Sequence, residues 1–376
     1  MRVVVALDSF KGGLSAAEAC RVVGEGLREA SPETDVVTLP MADGGEGTVT
    51  ALLNSRDEGQ WVGRSVAGPL RKRTVNAGFG WFPGDGTAVV EMARANGLPL
   101  LSQRERDPMA ASTYGTGQLL EAAVEYGAER ILMGIGGSAT VDGGVGAASA
   151  WGWEFIDKNR RPVTPAGGHL SEIRHCIPPD NSRIPPVTVL CDVSNPLYGP
   201  RGAARVYAPQ KGANPGEVAI LEAGLVNLAR CVEKDLNLRI QDVPGAGAAG
   251  GLGAGAVAFF GAELKPGVSA IIRETGLEQV LEGADWCVTG EGSFDRQSLD
   301  GKVVSGVVRA AQRKNVPVVV LAGQVDIEAD RYEAHGVQTA RAIHDPAMPV
   351  EEAIRREKEL LRRSAVAWVK SVSGST

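Results

Sequence analysis

The sequence predicts an α/β protein in which both ends of the chain form one parallel-sheet domain and a second α/β domain is inserted between them. Short apolar, β-branched segments alternate with helical patterns along most of the chain, as expected of parallel sheets. Between about Gln60 and Val90 polar and apolar residues alternate around a Gly-Asp-Gly turn, which favours an antiparallel hairpin. The length of 376 residues suits two to three domains at about 150 residues each. We assign residues 1–58 and 282–376 to the Rossmann-like parallel-sheet domain and 59–281 to the inserted one.

The strands and helices near the N-terminus are predicted from local sequence patterns. Val3–Leu7 is a predicted strand, and Ser15–Ala30 has the periodicity of an amphipathic helix. Ser15 is a candidate N-cap, and Glu18, three residues later, completes a capping box. Asp35–Leu39 is the second predicted strand, and Gly47–Leu53 begins the next helix.

The later elements continue the alternation. Four apolar runs bounded by turn residues are predicted strands: Arg130–Met133, Val187–Cys191, Trp286–Thr289 and Val316–Leu321. Helical patterns separate them at Gly117–Tyr126, Val218–Leu236 and Val303–Arg313. Arg161–Pro186, rich in Pro, Gly and His, is a predicted loop.

The C-terminal segment Glu351–Val369 predicts a helix with Ile354, Leu361, Ala365 and Trp368 on one face. Glu352/Arg356 and Glu359/Arg363 are spaced for i,i+4 ion pairs. We favour a packed terminal helix over a partner-binding one.

Charge and composition exclude several classes of function. With 45 acidic against 39 basic residues and a net charge of −6, the chain lacks the basic field that attracts nucleic acid. No run of 18 apolar residues is available to span a membrane. The apolar stretch before Asp8 is shorter than a signal peptide requires. Five cysteines without a CxxC spacing and four histidines outside any HExxH motif predict a reduced, cytoplasmic protein without structural zinc.

Three glycine clusters follow predicted strands. They are Met41–Gly47, Gly134–Gly144 and Gly290–Asp295, and each also carries Asp or Glu. Ligands bind at the carboxyl ends of strands in open α/β sheets, where glycine lets backbone N–H groups approach an anion. The clusters therefore predict a site for phosphates and a metal; the alternative is that they are only tight turns between strands and helices.

A fourth cluster, Pro244–Gly255, contains a formal GxGxxG at Gly245, Gly247 and Gly250. The dinucleotide fingerprint requires this pattern directly after a strand, with an acid about 20 residues further on. Asp242-Val-Pro is a poor strand end, and Glu263 comes too early in the chain. We interpret the cluster as a phosphate-binding loop or a close-packed helix start. A Walker A motif is absent, because Gly301-Lys302 is followed by Val303.

Charged residues accompany these loops. Asp192 and Asp295, at predicted strand ends, are placed to act as metal ligands or general bases, with helix capping as the alternative. Lys11, Lys211 and Lys302 are candidates to neutralise a phosphate or a substrate carboxylate, with a solvated side chain as the alternative. The histidines receive no role.

Six segments, in order, resemble those of the bacterial type-1 glycerate kinases. They are ALDSFKGGLSAAEA, MADGGEGT, GIGGSATVDGG, CDVSNPLYGPRGAARVYAPQKGA, PGAGAAGGLGAG and VTGEGSFDRQSLDGK, and the resemblance runs from Asp8 to about Gln324. It implies a two-domain α/β kinase that phosphorylates D-glycerate with ATP and Mg²⁺ in the cleft between its domains. The 2-position is favoured, and 3-phosphoglycerate stays open.

The resemblance also implies a set of site residues. Asp192, Lys11 and Asp295 are expected to be catalytic, with Asp192 as the proton acceptor, and Asp43 and Asp295 are expected to serve the metal. The expected phosphate and nucleotide contacts are Gly136, Gly137, Ser138, Gly290, Glu291, Gly292, Ser293, Gly247 and Gly250. Substrate binding is assigned to Asp8, Ser9, Asn195 and Lys211.

This chain departs from the family pattern at Val141, where the family has Asn, and at Tyr198 and Arg201, where Cys and Asn are frequent. No role is carried over to these positions.

The partners implied by the resemblance are the small molecules D-glycerate and ATP. Nucleic acid and membrane are not expected partners, and a homodimer is a candidate assembly.

Two other functions remain as alternatives. A nucleotide-dependent oxidoreductase, suggested by Gly245–Gly250, predicts a change in nicotinamide fluorescence on titration, whereas a kinase predicts ADP formation. A sensor that binds a sugar acid without turnover would tolerate the loss of Asp192.

Overall fold

The structure is a computed structural model that describes residues 1–10, 12–180, 184–299 and 301–373. It has the predicted α/β class, with parallel strand pairing in both main sheets. The strands are β1 (Arg2–Leu7), β2 (Asp35–Thr38), β3 (Gln60–Ala67), β4 (Thr74–Phe82), β5 (Thr87–Glu91), β6 (Arg130–Gly134), β7 (Glu154–Ile156), β8 (His175–Ile177), β9 (Val187–Leu190), β10 (Glu263–Lys265), β11 (Trp286–Gly290), β12 (Ser293–Phe294), β13 (Val318–Ala322), β14 (Gln324–Val325) and β15 (Val337–Ala342).

The α-helices are α1 (Ala16–Ala30), α2 (Thr48–Ser55), α3 (Met92–Asn96), α4 (Tyr114–Glu125), α5 (Val145–Ala150), α6 (Ala203–Tyr207), α7 (Pro215–Leu236), α8 (Ala248–Phe260), α9 (Gly267–Thr275), α10 (Leu277–Val280), α11 (Val303–Arg313), α12 (Ala329–Ala334) and α13 (Val350–Ser373). Short 3-10 helices cover Leu98–Leu100, Gln103–Glu105, Gly167–Glu172, Pro209–Lys211 and Arg296–Leu299. In the described part of the chain, no helix is both long and apolar enough to cross a bilayer.

The chain divides into two compact units. Unit 1 comprises residues 1–43, 50–57 and 268–376, and unit 2 comprises residues 44–49 and 58–267. The boundaries drawn from the sequence, 58/59 and 281/282, stay a prediction; the structure groups residues 268–281 with unit 1.

Unit 1 is built on a five-stranded parallel sheet in the order β15-β13-β11-β1-β2. The central strand pair, β1 and β11, joins the N-terminal part of the chain to its C-terminal part. The predicted capping box of α1 is present, since Ser15 and Glu18 each accept from the other's backbone N–H. The inward faces of α1 and α13 pack with β1, β11 and β13 into one apolar cluster.

Unit 2 is built on a six-stranded mixed sheet in the order β10-β9-β6-β5-β4-β3. The pairs from β10 to β5 are parallel, and β5-β4 and β4-β3 are antiparallel. The hairpin expected between Gln60 and Val90 is therefore confirmed. Because β5, β6 and β9 run parallel and adjacent, their carboxyl ends share one edge of the sheet, which we call the unit-2 edge.

The loop predicted for Arg161–Pro186 is wrong over part of its length. β8 pairs antiparallel with β7, and Gly167–Glu172 is a 3-10 helix. The hydrogen-bond partners of this segment lie on α7. The Asn227 side-chain amide donates to two carbonyls of the segment, and Asp235 accepts from the Cys176 N–H at 2.9 Å. A three-residue strand held by a distant helix leaves no periodicity in the sequence.

The C-terminal helix is packed, as favoured above. Leu361, Ala365 and Trp368 are buried, but Ile354 is 36% exposed, so the predicted apolar face is wrong at that position. The predicted Glu352–Arg356 pair forms, whereas Glu359 pairs with Arg356 at 3.0 Å instead of with Arg363. In the first turns the buried positions are Ala353 and Glu357 instead of Ile354.

Candidate active site

Two glycine clusters meet at the unit-2 edge. A Cβ added at Gly44 would lie 2.6 Å from Leu190 Cβ, at the end of β9, and one added at Gly136 would lie 2.7 Å from the Gly45 Cα. A Cβ at Gly134 would overlap the Gly44 carbonyl. Glycine is required at these positions because two backbone segments approach within the space of a side chain. The cluster near Gly44 therefore lies directly against the loop that follows β6.

Glu91, the last residue of β5, holds the Gly44 cluster in place. Its side chain is 1% exposed, and Oε1 accepts from the Val49 N–H at 2.6 Å, in the first turn of α2. Burial raises the pKa of this carboxyl, although the nearby Arg94 guanidinium and the N–H groups of Val49 and Gly47 act in the opposite direction. Glu91 thus fixes the start of α2 beside the unit-2 edge.

A cavity of about 250 Å³ opens beside Glu91 and is also lined by Glu46, Asn76 and Arg94. The Arg94 Nε lies 2.8 Å from Glu91 Oε2, and its guanidinium carbon lies 4.7 Å from the centroid of a Trp61 ring. This set of residues was missed in the sequence. The available signal was an acidic residue that directly follows the apolar run Ala88–Val90.

The predicted phosphate loop Gly136–Ser138 is held by backbone hydrogen bonds to its neighbours and is exposed at Gly137, whereas Ser138 is buried. Leu98 N–H donates to the Gly137 carbonyl at 2.8 Å, and Ala139 N–H donates to the Asn96 carbonyl at 2.9 Å. Gly137 is exposed with a φ of +74°, and Gly136 is half-buried. Within the described ranges, the backbone N–H groups of Gly136 and Gly137 have no acceptor. Such N–H groups at a strand end suit an anion.

Lys211 lies next to this loop but is buried, with 2% of its surface exposed. Its Nζ donates to Ser138 Oγ and to the Thr140 carbonyl, each at 2.7 Å. Burial lowers the pKa of Lys211 to about 7, although the charge of Asp142 acts to raise it. The predicted residues Ser138 and Lys211 are thus brought together.

Asp192 is exposed and follows β9 at the unit-2 edge. Its Oδ1 accepts from the Gly267 N–H at 2.9 Å, at the first residue of α9. The helix-capping role that was the alternative for this residue is therefore present. The assignment of Asp192 as the proton acceptor stays a prediction.

Asn195 organises the loop after β9. Its Nδ2 donates to the Arg201 carbonyl at 2.8 Å, and its Oδ1 accepts from the Tyr207 hydroxyl at 2.7 Å. Both ends of the amide therefore have protein partners. Its assignment to substrate binding stays a prediction.

Gly247 and Gly250, in the fourth cluster, are buried and packed against backbone. The Gly247 N–H donates to the Asn195 carbonyl at 2.9 Å, and a Cβ there would overlap the Pro196 carbonyl. Gly250 has a φ of +68° and a Cβ there would overlap the Thr140 carbonyl. The close-packed helix start is thus present, and the element before the cluster is α7 instead of a strand. Phosphate binding by these two glycines stays a prediction.

In unit 1 the carboxyl ends of β1 and β11 bring together Asp8, Ser9 and the loop from Gly290 to Ser293. Asp8 N–H donates to the Gly290 carbonyl at 2.9 Å, and Ser9 N–H donates to Asp8 Oδ1 at 2.6 Å. The carbonyls of Glu291 and Gly292 accept from Gly323 and Gln324, at 3.1 Å each. Glu291 and Gly292 are half-buried and Ser293 is exposed.

Asp295 caps a 3-10 helix. Its Oδ1 accepts from the Ser298 N–H at 3.1 Å and from the Ser298 hydroxyl at 3.4 Å. Asp43 is exposed in unit 1, directly before Gly44. Lys11, predicted to be catalytic, lies outside the described residues. Residues 1–10, 12–180, 184–299 and 301–373 contain no group of three or more His, Cys, Asp or Glu side chains able to hold a metal ion.

Comparison with known proteins decides the family. The model of the glycerate kinase family matches residues 3–373. The chain belongs to the glycerate kinase family. It is 40% identical to the glycerate kinase of Halalkalibacterium halodurans over 100% of this chain and 99% of the relative. It is also 40% identical to the glycerate 2-kinase of Escherichia coli K12, over 94% of this chain and 93% of the relative.

A solved structure extends the likeness to the fold. The crystal structure of a protein from Salmonella typhimurium LT2, assigned as glycerate kinase 2, superposes with a TM-score of 0.87 at 37% identity. The match covers 100% of this chain and 99% of that one. The family resemblance read from the six sequence segments is therefore confirmed, as is the kinase class of enzyme.

Proposed function

We propose that this glycerate kinase family member transfers the γ-phosphoryl group of ATP to a hydroxyl of D-glycerate, giving 2-phosphoglycerate; 3-phosphoglycerate is the alternative product. The observation that carries the proposal is the family match over residues 3–373, together with 40% identity to a glycerate 2-kinase over nearly full length. Phosphoryl transfer requires positioning and electrostatic stabilisation and little covalent chemistry from the protein. The glycine-rich loops supply such groups.

The residue roles are part of the proposal. The N–H groups of Gly136 and Gly137 are suited to a phosphate oxygen because they have no acceptor in the described structure. Asp192, exposed at a strand end, accepts the proton of the attacking hydroxyl. Lys11 contacts a phosphate or the glycerate carboxylate, and Asp8 and Ser9 bind substrate.

The donor set fits Mg²⁺ that arrives with the nucleotide. Mg²⁺ binds one or two carboxylates together with water and substrate phosphates, so it needs no cage of protein ligands. Asp43 and Asp295 offer hard oxygen ligands, and the described residues contain no three-ligand cluster. When bound, Mg²⁺ would neutralise charge on the β- and γ-phosphate oxygens.

A homodimer and a cytoplasmic location also remain proposals, to be tested by light scattering and by cell fractionation.

The experiment is a direct assay. Purified protein is incubated with ATP, MgCl₂ and D-glycerate, ADP is measured by a coupled assay, and the product is identified by phosphorus NMR. We expect ADP formation only when glycerate is present, and a phosphorus resonance coupled to the single proton at C2. Coupling to the two C3 protons would establish the 3-phosphate instead. Absence of glycerate-dependent ADP would refute the proposed function.

A further inference from the structure

Lys211 and Ser138 form a buried donor chain whose direction is fixed when Lys211 is protonated. The Lys211 ammonium is donor-only, so Ser138 Oγ must accept in their 2.7 Å hydrogen bond. The Ser138 hydroxyl proton is then left to donate elsewhere. Within the part of the chain that the structure describes, Ser138 Oγ has no other partner.

The loop that carries Ser138 is the one with N–H groups free to bind an anion. Ser138 directly follows Gly137, whose N–H has no acceptor among the described residues. Lys211 itself is 2% exposed and also donates to the Thr140 carbonyl, so its ammonium is engaged on the interior side. The ammonium thus makes two hydrogen bonds to protein groups, one of them to the residue that follows the exposed Gly137.

We propose that Lys211 is a positioning residue that holds the Ser138 hydroxyl as a donor to an anionic oxygen of the bound substrate, without contacting the substrate. The inference rests on the proposed function and changes the role that the sequence predicts for Lys211. The anionic oxygen belongs either to a phosphate of ATP or to the carboxylate of glycerate.

The charges around Lys211 give the arrangement a pH dependence. Asp142, fully buried, accepts from Thr113, Gly144 and Gly146 and faces the ammonium electrostatically. The Arg106 guanidinium donates to the carbonyl of Gln210, the residue before Lys211, at 3.2 Å. The pKa of Lys211 is lowered to about 7 by burial. An anion bound nearby stabilises the ammonium form, so binding takes up protons and weakens as pH rises above about 7.

The first test is a double-mutant cycle on Lys211→Met and Ser138→Ala, with KM measured separately for ATP and for D-glycerate. We expect each single change to raise the KM of the same substrate by about 10- to 100-fold. The KM of the double variant should be no higher than that of the more impaired single variant, because Lys211 acts only through Ser138. The substrate whose KM changes identifies the anion.

The second test measures protons directly. Substrate binding to the wild type is followed by calorimetry at pH 7.5 in buffers of different ionisation enthalpy. We expect proton uptake in the wild type and none from this group in Lys211→Met. Lys234→Met is the matched control, since Lys234 is 58% exposed and pairs with Asp235 at 3.3 Å; it should leave both KM values and the proton uptake unchanged.

Additive effects in the cycle, or binding without proton uptake, would overturn the inference. If Lys211→Met does not fold, as judged by thermal unfolding, the Ser138→Ala KM and the wild-type proton uptake still decide it. Failure of the proposed function is distinguishable, because the wild type would then show no glycerate-dependent ADP at all.

Discussion

At the scale of single residues, Asp192 combines a structural contact with its proposed chemical role. Its Oδ1 accepts from the Gly267 N–H at 2.9 Å, and the residue is exposed at the end of β9. An asparagine retains a side-chain oxygen for this hydrogen bond but cannot accept a proton from a hydroxyl. The substitution therefore separates the two roles.

We predict that Asp192→Asn lowers kcat by about 10²- to 10⁴-fold, the usual contribution of a general base. KM should change by less than about threefold, because the loop keeps its hydrogen bond. Steady-state kinetics with D-glycerate and ATP measure both. Asp295→Asn is the companion variant: near-normal turnover in Asp192→Asn together with an inactive Asp295→Asn would exchange the two roles.

The sequence indicated which residues lie at strand ends better than it indicated what they contact. Ser15 and Glu18 form the expected capping box because both partners are three residues apart. Glu91 and Lys211 gain their surroundings from residues more than 40 positions away, such as Val49 and Ser138. Their burial and their pKa shifts arise from tertiary packing, which no local pattern encodes.

At the scale of elements, the C-terminal helix α13 supports the loop that follows β1. Glu357 of this helix is 3% exposed, and its Oε2 accepts from the Leu14 N–H at 2.9 Å. Burial raises the pKa of Glu357 and lowers that of His344, whose Nε2 lies 3.7 Å from Glu357 Oε1. Both shifts oppose the charged forms, so burial disfavours an ion pair between these two side chains.

Gly13 leaves the space that the Glu357 carboxylate occupies, since a Cβ there would overlap Oε2. We predict that Gly13→Ala displaces the carboxylate from Leu14 and lowers the free energy of unfolding by about 1–3 kcal/mol. In a Glu357→Ala background the same change should cost less than about 0.5 kcal/mol, because the overlap is absent. Urea unfolding of the four proteins measures the coupling.

Glu357→Gln is the control for this pair because it keeps an oxygen for the Leu14 N–H. A pKa raised on folding means that wild-type stability is lost as pH rises through the folded pKa. Glu357→Gln should therefore gain stability relative to the wild type as the pH rises above the ordinary pKa of a glutamate carboxyl. Equal and additive costs of Gly13→Ala in both backgrounds would contradict the overlap.

The elements themselves were largely predictable where they are long and amphipathic. The pattern for Val303–Arg313 gives α11 with the same bounds, and α1 begins at its predicted cap. The 3-10 helix and β8 within Arg161–Pro186 were not predictable, because their hydrogen-bond partners lie on α7. Elements held mainly by distant side chains carry too few residues to show a period.

At the scale of the whole molecule, the two units place glycine-rich loops at the carboxyl ends of parallel strands. In unit 1 these ends carry Asp8 and Gly290–Ser293, and in unit 2 they carry Gly136–Ser138 and Asp192. The alternation of strands and helices predicts this plan from sequence. The alternation does not show which loops keep backbone N–H groups available, as at Gly137, and which loops pack against other backbone, as at Gly247.

The Mg²⁺ proposed for turnover differs from a metal ion that stabilises a fold. Structural metal sites contribute about 10 kcal/mol or more to folding, so their removal unfolds a domain. The described residues hold no three-ligand cluster, and the proposed carboxylates, Asp43 and Asp295, suit an ion shared with ATP. Folding and turnover should therefore respond differently to a chelator.

We predict that excess EDTA abolishes glycerate-dependent ADP formation but shifts the Tm of the substrate-free protein by less than about 1 °C. Added MgCl₂ should restore activity fully, because the ion arrives with the nucleotide. Calorimetry with and without EDTA measures the Tm, and the coupled assay measures turnover on the same sample. A fall in Tm of several degrees on chelation would instead establish that the substrate-free protein holds a metal ion that stabilises its fold.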